Sequence, residues 1–162
     1  MSFVQDGTCS EENKARGNIG PIEGAETLAR IVISPQHFNA KGEIKPGLFS
    51  RTDISKNGVS LTRIEKLEEV YFIRYATAVA ELKSGQKLAG IVKTVASKLW
   101  SIPGIVGSGG KAFCLIEDPV FDLPNVPDNE AHAVAISTIP IDAEDEKIRL
   151  QVELAKIFSQ IV

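Results

Sequence analysis

The hydrophobic period of this chain changes to that of a helix in only two places, and this restricts the fold to a sheet carrying few helices. From about Glu65, Leu67, Val70, Tyr71, Arg74, Ala78 and Leu82 fall three or four apart, the spacing of one helix face, and Ser84-Gly85 supplies a stop. Thr62 and Glu65 have the spacing of a capping box for that helix, although the same residues also fit a strand. The second helical stretch is IDAEDEKIRLQVELAKIFSQIV. It opens with Asp142 as cap and Glu144, Asp145 and Glu146 in the first turn, where acids complement the helix dipole.

The remaining apolar residues come in short β-branched runs bounded by turn formers, the pattern of strands. TLARIVIS reads as a first strand, and Asn57-Gly58 turns the chain into a second, GVSLTRI. QKLAGIVKTVASKLWSI reads as a strand or a curved pair. KAFCLIED has the almost fully apolar pattern of a central strand covered on both faces, and AHAVAISTI is the last strand. In DPVFDLPNVPDNE, Pro119, Pro124 and Pro127 preclude a ladder. This order predicts an α+β fold: a mainly antiparallel sheet of about five strands with one internal helix and one C-terminal helix, packed on one face. Residues 1–26, polar and without period, read as a mobile leader, and 27–162 as a single α+β domain.

Eighteen basic and 21 acidic residues are intermixed, for a net charge of −3. Such a chain offers no footprint for nucleic acid as its main partner. No stretch reaches the ~20 apolar residues of a membrane span, and the N-terminus lacks a signal-peptide pattern, so the expected address is the cytoplasm. Cys9 lies in a polar stretch and Cys114 in an apolar run. They read as a free thiol and a small buried hydrophobe rather than as a disulfide.

The cluster GIVGSGGK tests as a phosphate loop and fails. Ile105 stands where the first glycine belongs and Ala112 where a magnesium-binding hydroxyl belongs. A flexible turn explains it better, with Lys111 as a counter-charge for any anion it meets. Of the two histidines, His132 enters a strand beside Asp128 and Glu130 and is the best general acid or base, with Asp128 placed to orient it. Arg51 and Arg63 flank the second strand and could hold an anion. No metal spacing occurs, the acids Glu117, Asp118, Asp122 and Asp128 do not match a calcium loop, and no cofactor is implied.

ISPQHF, KGEIKPGLF, GVSLTRI and PDNEAHA, followed by a helix containing ELA, together resemble a pattern of small single-domain bacterial proteins of unassigned function. The resemblance covers 27–162. It implies a bacterial or phage origin and one compact unit, and it carries no chemistry over.

Two functional expectations follow. The terminal helix has two apolar stripes, one of them Leu150, Leu154, Ile157 and Ile161, more than one sheet face needs. Either the helix is deeply buried, or those residues face another protein chain, a different one or a second copy of this one. In that case the protein acts through association, without catalysis, the leader adding contact surface. The alternative is a small enzyme acting on a nucleotide or phosphate-bearing substrate, with His132 as acid or base and the arginines on the anion.

Overall fold

A computed structural model describes residues 3–105 and 110–160. At its centre are β1 (Thr27–Ser34), β2 (Val59–Arg63), β3 (Lys87–Val95), β4 (Phe113–Glu117), β5 (His132–Ser137) and the two-residue β6 (Ser159–Gln160). They form one antiparallel sheet in the order β4-β5-β2-β1-β3-β6. With α1 (Glu69–Ala80), α2 (Ala96–Trp100) and α3 (Glu144–Ile157), the fold is α+β, and the five longer strands fall on the five runs read from the sequence. QKLAGIVKTVASKLWSI resolves into one strand that passes directly into α2. Gly58 adopts a φ of +84°, and a Cβ there would stand 3.2 Å from Val134, so only glycine suits the entry to β2.

The helices cover both faces of the sheet, not one. Leu28 and Ala29 are successive on β1 and point to opposite sides. Leu28 joins Val32, Leu61 and Leu115 beneath Leu150 and Leu154 of α3, whereas Ala29 packs against Phe72, Tyr75 and Ala76 of α1. Leu150 and Leu154 are 0 % exposed, each burial contributing roughly 1.5–3 kcal/mol. This corrects their assignment to an interface: the stripe that looked surplus is absorbed by the far side of the chain's own sheet. Ile157 packs partly buried against the same cluster, and Ile161 lies outside the described residues. Neither expected cap forms. Glu68 and Ala143 occupy the N-cap positions of α1 and α3 without side-chain cap bonds, Thr62 stays in β2, and Glu65 instead accepts from the Thr27 N–H at 2.8 Å.

The segment read as a mobile leader is fastened to the domain. Cys9 and Cys114 are joined in a disulfide with a Cα separation of 5.3 Å, which corrects the expectation that they are not bonded, although Cys114 is buried as expected. Phe3 and Cys9 lie on Cys114, Ile116, Val134 and Ile136. Glu12 accepts from the Trp100 indole at 2.6 Å and from the Leu115 N–H at 2.7 Å. β4 is therefore an edge strand and not a central one. It is apolar on both faces because the leader covers what no helix reaches, and Glu12 takes the N–H that would otherwise recruit a further strand. Nearer β1, the Glu117 carboxylate accepts backbone N–H groups from Arg16, Gly17, Ile19 and Gly20. Burial opposes ionisation of Glu117, but these donors outweigh it and hold the carboxyl below its ordinary value.

Candidate active site between β1 and β2

β1 and β2 pair at only two positions, Leu28 with Arg63 and Ala29 with Thr62. Beyond these the strands part, while β2 stays with β5 as far as Val59. The parted backbone needs partners, and Arg30 supplies one, donating to the Ser60 carbonyl of β2 at 3.1 Å while also bonding the Leu48 carbonyl of the preceding loop at 2.9 Å. Under α1 the gap becomes a cavity of about 200 Å³, lined by Thr62, Tyr75, Ser60 and both histidines among others.

His132 stands at one end. Its Nδ1 lies 2.7 Å from the Asp118 carbonyl oxygen and 3.2 Å from the Asp118 carboxylate. Two acceptors at one ring nitrogen place the proton on Nδ1 and leave the lone pair on Nε2. Asp118 follows β4 directly, and its own N–H donates to the His132 carbonyl at 2.9 Å, so ladder geometry delivers the acid to the ring. Across the sheet, Arg63 N–H bonds the Ala131 carbonyl at 2.9 Å. Its neighbour pair, Thr62 and His132, thus takes the non-hydrogen-bonded position, where facing side chains come closest. Asn129 donates to Thr62 Oγ1 at 3.0 Å. Burial raises the Tyr75 phenol above its ordinary value, the Asn129 hydrogen bond opposes this and the Asp118 charge adds to it, so Tyr75 remains protonated at neutral pH.

His37 has the opposite tautomer. The Ile33 N–H donates to its Nδ1 at 2.9 Å, which leaves the proton on Nε2. Burial first, then the charges of Arg30 and Lys45, push its pKa down to about 4. The cavity is thus lined by two imidazoles of opposite tautomer: His132, whose proton sits on Nδ1, and His37, neutral at physiological pH with its proton on Nε2.

The other residues singled out in the sequence lie elsewhere. Asp128 does not orient His132: its carbonyl accepts from the Tyr71 hydroxyl at 2.6 Å and its carboxylate from the Asp122 N–H at 3.0 Å. Arg63 is buried on the opposite face, bound to Glu26 and to the Gly20 and Pro21 carbonyls, and cannot reach an incoming anion. Arg51 pairs with Glu144 at 2.8 Å, and Lys111 lies over the Trp100 ring at 5.1 Å and 3.9 Å from Glu12. None of these cations lines the cavity. Of the glycine cluster, 106–109 lie outside the described residues. Sequence reasoning missed Asp118, Thr62, Tyr75 and the role of His37. The pairing of β2 with β5 would have revealed Thr62, because it faces His132 once the register is known.

Compared with models of protein families, with curated proteins and with solved structures, the chain matches none.

Proposed function

We propose that the protein is a small enzyme working by general acid–base catalysis in the cavity between β1 and β2, with His132 as the base and Asp118 orienting it. The observation that carries this reading is the His132 ring itself, held at Nδ1 by Asp118 and lining a cavity that also contains Tyr75, Thr62 and His37. A lone pair on Nε2 takes a proton from a bound hydroxyl or water, while the neutral His37 and the Tyr75 hydroxyl offer hydrogen bonds to a carbonyl-type oxygen. Arg30, the cation lining the cavity, is engaged by backbone carbonyls and Asp53. The cavity therefore favours a small uncharged substrate over the phosphate-bearing one that the arginines had suggested.

The test is turnover of small ester and amide probes, p-nitrophenyl acetate first, by wild type and by His132→Ala. A loss of roughly 10²- to 10⁴-fold is expected for removal of a positioned base, with Asp118→Asn intermediate. Equal rates in wild type and His132→Ala, or no turnover above free imidazole, would defeat the proposal.

Association without catalysis keeps one observation in its favour. Ile148 and Val152, one turn apart on α3, are 47 % and 48 % exposed, a small apolar stripe on the side away from Leu150 and Leu154. Light scattering on wild type and Ile148→Glu/Val152→Glu decides it: a concentration-dependent dimer lost in the variant supports this reading, and a monomer in both removes it.

A further inference from the structure

The leader is anchored in two separable parts. From Arg16 to Gly20 its backbone N–H groups hold the Glu117 carboxylate at 2.8 to 3.3 Å, and these bonds require no disulfide. Before Arg16 the residues are mostly half-exposed or exposed. Their links to the rest of the chain are the Cys9–Cys114 bond, the packing of Phe3 and Cys9, hydrogen bonds donated by Gln5 and Gly7, the two that Glu12 accepts, its 3.9 Å pair with Lys111, and the contacts of Glu11 and Phe3 with Arg16. Cys9 itself sits at φ 52°, in the left-handed region that non-glycine residues avoid. Segments with few buried contacts are the first to open in a folded protein.

We propose that the Cys9–Cys114 disulfide is a redox-operated latch, whose reduction releases residues 3–14 from the outer edge of β4 while the rest of the fold stays assembled. A dithiol reductant attacks through a thiolate at the sulfur of Cys9, the less buried residue of the pair, Cys114 being 2 % exposed. The sulfur–sulfur bond breaks, and Cys114 leaves as a thiolate that takes up a proton. The second thiol of the reductant then resolves the mixed disulfide, so the latch gains two electrons and two protons and the reductant becomes a disulfide. Glu12 leaves with the released strap, freeing the Leu115 N–H and the Trp100 indole that it now holds. β4 keeps its five registered pairs with β5 and the Glu117 anchor. The reduced protein thus presents an open strand edge, and the oxidised protein a closed one.

Trp100 is the sole tryptophan of the chain, so its emission reports directly on the loss of Glu12. The experiment compares the full chain oxidised, reduced with dithiothreitol, and as Cys9→Ser/Cys114→Ser, by tryptophan emission, amide hydrogen exchange at Leu115 and far-ultraviolet circular dichroism. The expected result is a shifted emission and Leu115 exchange at least roughly tenfold faster on reduction, with the dichroism unchanged; the double variant should match the reduced protein and ignore the reductant. Leu115 protection that survives reduction overturns the proposal, and so does loss of the sheet signal, since the bond would then be a staple of the whole fold.

Discussion

The Arg63 guanidinium meets the Glu26 carboxylate with two bonds, Nε to Oε1 at 2.7 Å and Nη2 to Oε2 at 2.9 Å, and the arginine side chain is 1 % exposed. The pair ties the last residues of the leader to β2 at the point where β1 and β2 are still joined. The third nitrogen, Nη1, bonds the Gly20 carbonyl at 2.7 Å. A bidentate fork with further carbonyl partners is what a buried charge needs to be tolerated.

Removing one partner of such a pair leaves the other charge buried. Glu26→Ala and Arg63→Ala are each expected to lower stability by about 3–5 kcal/mol. Arg63→Lys should recover only part of this, because an ammonium cannot span the carboxylate and the carbonyls together. Urea unfolding at neutral pH measures all three.

On α3, burial and exposure alternate sharply enough to separate a core role from a surface role. Leu154→Ala is expected to cost about 2–5 kcal/mol, since Leu154 is wholly buried among Leu28, Leu61 and Leu115. Val152→Ala, one face away, should stay within about 0.5 kcal/mol. Thermal melts of the two variants provide the comparison.

His37 makes stability depend on acidity in a definite direction. Its pKa is about 4 in the fold against an ordinary 6.5, so between those values the unfolded chain binds the extra proton and the folded one does not. Stability is therefore full above pH 6.5 and declines as pH falls toward 4. Glu117 and Glu26, whose carboxyls are held below their ordinary values, add to the loss at more acidic pH. His37→Gln keeps an acceptor for the Ile33 N–H, and its urea midpoint should change less than that of wild type between pH 7 and pH 5. Parallel midpoints would contradict the assignment.

Much of this architecture was legible in the sequence because it rests on local period. The runs TLARIVIS, GVSLTRI and AHAVAISTI each became a strand, and the three-four spacing after Glu65 became α1, although its first turn starts at Glu69. What failed were statements about distant residues. Leu150 and Leu154 looked surplus because the sequence does not say that β1 is apolar on both faces of an internal sheet. Cys9 and Cys114 are 105 residues apart, and nothing local brings them together. At the site, His132 is visible as a histidine at a strand entrance, but closeness along the chain points to Asp128 as its partner. The ladder between β4 and β5 delivers Asp118 instead, and Arg63, expected to hold an anion, is taken by Glu26, which lies in the stretch expected to be a mobile leader.

The central claim, that His132 presents a base to the cavity while His37 presents a donor, is tested most directly by long-range nitrogen–proton correlation spectra of the imidazole rings, which contain only two histidines. At pH 7 the account predicts His132 carrying its proton on Nδ1 and His37 on Nε2, with both rings shifting when a small ester or amide probe is added. A His132 ring protonated on Nε2 instead, and unmoved by every probe, would contradict it.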